Sequence, residues 1–304
     1  MSAAPVQDLV KRWESEQAHL RLQVVEEDTE DWQRSPDFSG LERVAGVDLS
    51  FIKGDDINAC AQLVVLNYPD LEVLYEDSQM VTLTAPYIAG FLAFRETPSL
   101  LEALQRLQKN QPTLLPQVVF VDGNGLFHYR EFGLACHLGV LSGLPCVGVA
   151  KNLLQVQGVY KSEEHQSQIA ALQKGGESFP LTSASGKMLG KALRSSDSSS
   201  KPVYVSVGHK ISLDTAVRLT HSCCRYRVPE PIRQNQHSLR FDGVVWCQIF
   251  STAPHHSILE GLPHTITRGP RDAENLHGIV PPFDQHQLVG LARHSIGEGR
   301  PHPG

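Results

Sequence analysis

The sequence predicts an α/β protein with one mixed β-sheet flanked by helices, and two observations predict it. Three β-branched or apolar runs follow one another between residues 43 and 83, separated by Gly-Asp-Asp and Pro-Asp turns, as consecutive antiparallel strands are. From residue 97 to residue 151, helical patterns then alternate with short apolar runs, as they do in a parallel layer.

The elements follow in a simple order. Residues 6–25 place Leu9, Val10, Trp13 and Leu20 on one face and predict an amphipathic helix that serves packing. Helical patterns also cover residues 97–110, 130–143 and 212–224, and strand patterns cover residues 117–123, 144–151, 187–194 and 202–209. Three antiparallel strands followed by alternating helices and parallel strands form the ribonuclease H-like arrangement, which is the predicted fold.

Composition divides the chain into three parts. With 304 residues, 41% hydrophobic and 20% charged, the chain is long enough for a sizeable core. Residues 1–40 are expected to form an N-terminal helical segment of the main domain, and residues 41–236 its core. Residues 237–304 are rich in His, Pro and Gly and hold one strand-like run, so we expect a weakly structured tail.

Charge and cysteine usage limit the possible environments. The six cysteines form no C-x-x-C pair, and no apolar run is long enough for a signal peptide or a membrane span, so we expect a soluble intracellular protein. The net charge is −6, yet basic residues concentrate between residues 187 and 233. A solvated surface and a nucleic-acid contact both remain open for that region.

Two aspartates lie where an ordinary strand would have apolar side chains. Asp48 interrupts the apolar run AGVDLSF, and Asp122 ends the run QVVFVDG. A buried carboxylate is unfavourable unless it is paired or bound to metal. One strand-end aspartate is usually a turn cap, but two on adjacent strands would converge on one edge as a hard oxygen site for magnesium. Glu96 could supply a third oxygen, or it could be an ordinary first-turn helix acid.

A set of ordered motifs makes the chain resemble the endonuclease V family over most of residues 8–233. These motifs are AGVDLSF, TAPYIAGFLAFRE, VDGNGLFHYREFGLACHLGV, LPCVGVAKNLL, VSVGHKISLDTAV and CRYRVPEPIR. The details are similar to animal members. The resemblance implies a metal-dependent endonuclease that cuts near inosine and leaves a 3′-hydroxyl and a 5′-phosphate.

The resemblance also assigns roles to residues. It implies that Asp48, Glu96 and Asp122 bind Mg²⁺, with Mn²⁺ able to substitute. Tyr87 matches an aromatic wedge beside the extruded base, on a loop that Pro86 and Gly90 favour over a strand. Gly125 and His128 match the pocket for the flipped base. Lys151 fits a charge directed at phosphate or at the attacking water, although a strand-end lysine is usually only solvated.

The chain departs from the family pattern after the motif PEPIR. Members carry a His or Asp where this chain has Gln236, and a neutral amide cannot offset a cation's charge. His237 is adjacent and could substitute. The helical continuation expected after the motif is also replaced by another sequence, which points to an alternative C-terminus.

Competing functions follow from these features. The first, which the resemblance to animal members implies, is an active enzyme on inosine-containing single-stranded RNA, and on deoxyinosine-containing DNA as a further substrate. We expect it to be a monomer in the cytoplasm or in the nucleus and nucleolus. The second is a nucleic-acid-binding protein whose catalysis is impaired by the altered C-terminus. A small-molecule metallohydrolase is disfavoured by the wedge loop and by the basic second half.

Overall fold

The computed structural model describes residues 3–52, 54–156, 158–238 and 246–247. All of them belong to one compact unit that runs from Met1 to Ser251. The predicted tail lies outside the described residues except for residues 237–238 and 246–247, so its weak structure stays a prediction. Within the described part, no helix is both long enough and apolar enough to cross a membrane.

A mixed sheet forms the centre of this unit. Its strands are β1 (Arg43–Ile52), β2 (Asn58–Asn67), β3 (Val73–Thr82), β4 (Val118–Asp122), β5 (Cys146–Ala150), β6 (Ser178–Thr182), β7 (Met188–Leu193), β8 (Val203–His209) and β9 (Trp246–Cys247). The order is β3-β2-β1-β4-β5-β8-β7-β6, and β9 pairs with β1 outside this path. β1, β2 and β3 are antiparallel, and β4 and β5 continue in parallel, which confirms the predicted fold class.

Helices cover both sides of the sheet. They are α1 (Ala3–Arg21), α2 (Asp31–Arg34), α3 (Leu92–Asn110), α4 (Leu134–Ser142), α5 (Glu163–Ala171), α6 (Leu213–Ser222) and α7 (Glu230–Ser238). A 3-10 turn spans Pro112–Leu114. The sequence patterns did not indicate α5 or β6. α5 buries only His165 and so lacks an apolar period, and β6 is a five-residue edge strand that contains Pro180.

Alternating side chains of β1 separate two apolar layers. Val47 and Leu49 face the layer in which Leu100, Leu104 and Leu107 of α3 are buried. Val44 faces the opposite layer, with residues of α6 and α7. Each fully buried leucine contributes roughly 1.5–3 kcal/mol relative to an exposed one. The central strands are therefore held rigidly from both sides.

Two expected helix boundaries and one expected strand direction differ from the structure. The N-terminal helix ends at Arg21, four residues before the predicted end, and α3 begins at Leu92, five residues before the predicted start. The aromatic ring of Phe94, stacked on Trp13 at a centroid distance of 5.0 Å, fixes this earlier turn. The neighbour of β5 on its other side, β8, is antiparallel to β5, where a parallel strand was expected. β8 is also antiparallel to β7.

The expectation that no helix follows PEPIR is wrong, because α7 covers Glu230–Ser238. This helix packs directly on β1 at Gly46. A Cβ atom at Gly46 would lie 1.8 Å from the carbonyl oxygen of Pro231, so only glycine permits the contact. α7 therefore lies against the strand that carries Asp48.

Candidate active site

Asp48 and Asp122 lie side by side on neighbouring parallel strands. Val47 of β1 pairs with Val121 of β4, and each aspartate is the next residue of its strand. Asp48 is only 5% exposed, and it accepts a hydrogen bond of 3.3 Å from the hydroxyl of Ser50. The two carboxylates thus converge on the carboxyl edge of the central strands, as their positions in the sequence predicted.

Glu96 is the third acid of this group. It lies inside α3 and is buried, so the interpretation as a solvated first-turn helix acid is wrong. Burial, followed by the negative charges of Asp48 and Asp122, raises the pKa of Glu96 to about 8, while Arg95 opposes the rise. Three mutually repelling carboxyl groups therefore share one site, which is the arrangement that a bound cation would stabilise.

Lys151 directly contacts this group. Its Nζ donates a hydrogen bond of 2.5 Å to Oδ2 of Asp122, and both side chains are largely shielded from solvent. Asp122 pairs with Val149 of β5, and Lys151 lies two residues further on, so it points to the same side of the sheet. The alternative of a merely solvated strand-end lysine is therefore wrong.

The donor chemistry of the site suits a hard divalent cation. Within the part of the chain that the structure describes, no three His, Cys, Asp or Glu side chains stand close enough to form a metal site as they are. Asp48, Glu96 and Asp122 nevertheless provide only oxygen donors, and burial, followed by the charges of the two aspartates, raises the pKa of Glu96. Magnesium prefers such a set, in which water completes the shell.

Arg95 is a site residue that the sequence patterns did not reveal. It is 6% exposed, and its Nε and Nη2 find no hydrogen-bond partner among the described residues. Its guanidinium lies 5.8 Å from the ring centroid of Phe51. A buried cation beside Glu96 offsets part of the repulsion among the acids. The only sequence signal is its position next to Glu96.

The loop that carries Tyr87 is exposed at that residue and is hydrogen-bonded to α1 at Gly90. It connects β3 to α3, and Tyr87 is 40% exposed, so this ring is not part of the core. Gly90 has φ +85°, a left-handed conformation that favours glycine. The carbonyl of Gly90 accepts a 3.2 Å hydrogen bond from Gln17 of α1. Pro86 is exposed next to Tyr87 at the tip.

A second loop, which follows Asp122, lies against this one. A Cβ atom at Gly90 would be 3.8 Å from the ring of Tyr129, a half-exposed residue that sequence reasoning overlooked. Gly125 packs on the backbone of Val207, and its N–H donates to the hydroxyl of Ser206 at 2.9 Å. The structure therefore brings the Tyr87 loop and the Gly125 loop together.

His128 and Asn124 offer polar atoms on the second loop. Burial lowers the pKa of His128 to about 4, with Arg130 acting in the same direction, so its ring is neutral at pH 7. Oδ1 of Asn124 is buried and has no hydrogen-bond partner among the described residues. Asn124 is a residue that the sequence patterns did not single out. A neutral ring and an unpaired amide oxygen suit a base better than a phosphate.

Gln236 and His237 lie on α7, the helix that packs on β1. Their side chains are not described, so the replacement of the expected His or Asp ligand by Gln236 or His237 stays a prediction. The backbone alone places both residues on an element that contacts the Asp48 strand.

A family model described as Endonuclease V matches residues 19–237, which is more than half of the chain. The chain belongs to the endonuclease V family. The resemblance drawn from the motifs is therefore confirmed. All nine predicted site residues, from Asp48 to Lys151, fall inside the matched range.

Endonuclease V proteins from animals are similar over most of their length. The mouse protein is 62% identical over 230 residues, covering 76% of this chain and 68% of its own. The human protein is 59% identical over 233 residues, covering 77% and 83%. These identities support an animal-type member.

Solved structures of the family give the same fold. The catalytic domain of human endonuclease V superposes with a TM-score of 0.75 at 58% identity, covering 76% of this chain and 94% of that one. Endonuclease V from Ciona intestinalis, in complex with a 23-mer DNA containing an inosine followed by a ribo-adenosine, gives 0.70 at 36% identity, covering 76% and 95%.

Proposed function

We propose that this endonuclease V family member is a magnesium-dependent endonuclease that cleaves inosine-containing nucleic acid, with single-stranded RNA as its preferred substrate. Cleavage leaves a 3′-hydroxyl and a 5′-phosphate. The observation that carries the proposal is the arrangement of Asp48 and Asp122 on adjacent parallel strands beside Glu96, whose pKa burial first, and then these two acids, raise to about 8. The Ciona relative bound to inosine-containing DNA supports the base preference.

The three carboxylates form the binding site for the cation. Asp48 and Asp122 are fixed by paired strands, and Glu96 approaches from α3. Asp48, Glu96 and Asp122 would hold a divalent cation there, and the chemistry it would supply is neutralisation of charge on the scissile phosphate and activation of a water molecule. Mn²⁺ fits the same oxygen donors.

Lys151 and Arg95 supply positive charge from the protein. The Nζ of Lys151, 2.5 Å from Oδ2 of Asp122, holds that carboxylate in one orientation and lies where it can also approach a phosphate oxygen. Arg95 lowers the repulsion around Glu96. The two cations thus keep the acids in place before substrate arrives.

Base selection is assigned to the two contacting loops. Tyr87 at the exposed tip stacks in place of the extruded base, which is worth about 1–3 kcal/mol per base. Asn124 and neutral His128 then face the hypoxanthine edge beside Gly125. Base selection is thus assigned to the loops of Tyr87 and Gly125, and cation binding to the three acids.

A second candidate is an inosine-binding protein with impaired catalysis. The observation that favours it is Gln236 on α7, the helix that packs against β1, the strand of Asp48. An amide there adds no negative charge to the metal site. Binding without cleavage distinguishes this candidate from the enzyme.

The test uses matched RNA and DNA strands, each with and without one inosine, in Mg²⁺ and in EDTA. We expect cleavage only with inosine and metal, and faster cleavage of RNA. Asp48→Asn and Asp122→Asn should each lower the rate by roughly 100-fold or more with an unchanged melting temperature. Asp31→Asn, at a fully exposed acid, is the control and should keep the wild-type rate. Near-normal cleavage by either site variant at saturating Mg²⁺ contradicts the assignment.

A further inference from the structure

The position of Lys151 depends on contacts outside the sheet. β5 ends at Ala150, whose partner in β8 is Tyr204, so the backbone of Lys151 lies beyond the paired region. Its Nζ is nevertheless 2.5 Å from Oδ2 of Asp122. A lysine has a long flexible stem, so holding this contact requires that its backbone be fixed.

Arg227 provides that fixation. Its Nη2 donates a short hydrogen bond to the carbonyl of Lys151 and a 3.0 Å bond to the carbonyl of Pro202. Its Nε donates at 3.2 Å to the carbonyl of Lys201. One planar guanidinium thus joins the end of β5 to the segment that enters β8. The rigid fork of arginine suits three carbonyls, whereas a lysine ammonium does not reproduce its geometry.

The backbone of Arg227 is itself anchored. Its carbonyl accepts a 2.6 Å hydrogen bond from the hydroxyl of Ser195, a fully buried residue. Burial lowers the pKa of Arg227, and its side chain donates hydrogen bonds to three neutral carbonyl groups. Placing a partly desolvated cation there is unfavourable unless the bonds are well formed.

We propose that Arg227 is a positioning residue for Lys151, and through it for the carboxylate of Asp122. The inference rests on the proposed role of Lys151 in cleavage. Arg227 does not act on the substrate. It fixes the main chain from which Lys151 extends, so losing it lets the lysine drift from Asp122.

Arg194 offers a matched control. It also uses two guanidinium nitrogens to bond backbone carbonyls, Nη1 to Leu172 at 2.6 Å and Nη2 to Asp197 at 2.9 Å. Neither carbonyl belongs to a proposed site residue. Arg194→Gln and Arg227→Gln therefore both remove a carbonyl clamp, and only the second removes one that holds Lys151.

The first test is a double-mutant cycle on an inosine-containing RNA strand in Mg²⁺. Arg227→Gln should lower kcat by roughly 10- to 100-fold with KM little changed, as a misplaced group does. Arg194→Gln should keep kcat within about twofold of wild type. In a Lys151→Met background, Arg227→Gln should cause no further loss. Multiplicative losses would overturn the inference, because Arg227 would then act independently of Lys151.

The second test does not require cleavage. Lysine acetylation followed by mass spectrometry measures how fast Lys151 reacts in each full-length variant. Reaction at Lys151 should be several-fold faster in Arg227→Gln than in wild type, and unchanged in Arg194→Gln. An unchanged rate at Lys151 overturns the inference even if the proposed catalysis fails. If Arg227→Gln does not fold, Arg227→Lys replaces it, since it retains the charge and loses the fork.

Discussion

Gly125 is the position where one added methyl group should separate base recognition from metal binding. A Cβ atom at Gly125 would lie 2.0 Å from the carbonyl oxygen of Val207, about 1.4 Å short of ordinary contact. That oxygen cannot retreat easily, because it accepts a 2.8 Å hydrogen bond from the N–H of Leu126. Gly125→Ala must therefore displace the loop that carries Asn124 and His128.

The displacement should affect both stability and activity. Overpacking of this kind costs about 1–3 kcal/mol, which lowers the melting temperature by roughly 2–4 °C per kcal/mol in a domain of this size. A loop shift near 1 Å should lower kcat/KM for inosine-containing RNA by about 100-fold. The Mg²⁺ concentration that gives half-maximal rate should not change, because the methyl group does not contact the carboxylates.

Gly123 in the same loop supplies the control. A Cβ there meets only the Leu134 side chain, at 3.7 Å, which is ordinary contact. Gly123→Ala should therefore keep the melting temperature and the inosine preference. Cleavage by Gly125→Ala at the rate of Gly123→Ala would refute the assignment of this loop to the base pocket.

Three further predictions concern the tip, the metal and the core. Tyr87→Ala should reduce cleavage at inosine by about 5- to 150-fold through lost stacking, whereas Tyr160→Ala, at another exposed tyrosine, should not; an equal loss of Mg²⁺ affinity would contradict the wedge role. Gln236→Asp should lower the Mg²⁺ concentration that gives half-maximal cleavage, and should reduce the ratio of the cleavage rate in Mn²⁺ to that in Mg²⁺. An unchanged Mg²⁺ titration places residue 236 away from the metal. A loss of cleavage in His237→Ala would then assign the ligand to that histidine. Burial lowers the pKa of His137 to about 4 from 6.5, so below pH 6.5 the unfolded chain binds a proton that the folded chain excludes. Stability should thus fall by about 1.4 kcal/mol per pH unit toward pH 4, and urea unfolding at pH 7 and pH 5 should show a smaller loss in His137→Phe than in wild type.

The central part of the site could be predicted from the sequence because its signal is local. Asp48 and Asp122 each interrupt an apolar strand pattern, and strand pairing then brings them together. The apolar runs and turns also predicted the antiparallel strands β1, β2 and β3 and the parallel strands β4 and β5. The placement of Glu96 required the resemblance as well, because its position near a helix start left two interpretations open.

Other site features depend on contacts between distant segments, which a pattern along the chain does not contain. Arg95 looks like any helical arginine until burial against Phe51 shows otherwise. Arg227 is separated from Lys151 by 76 residues in the sequence. The helix α5 was overlooked because it buries only His165, and the edge strand β6 because it is only five residues long and contains Pro180.

The contact between Gly46 and α7 limits which substitutions β1 and α7 tolerate. Asp48 lies two residues beyond Gly46, and the Pro231 carbonyl occupies the space that any other side chain at residue 46 would need. Strand and helix must therefore shift together, so a substitution that tilts α7 also moves an acid of the proposed metal site. Substitutions that preserve the packing of α7 on β1 should leave Asp48 in place. One close contact thus couples the packing of α7 to the geometry of the proposed metal site.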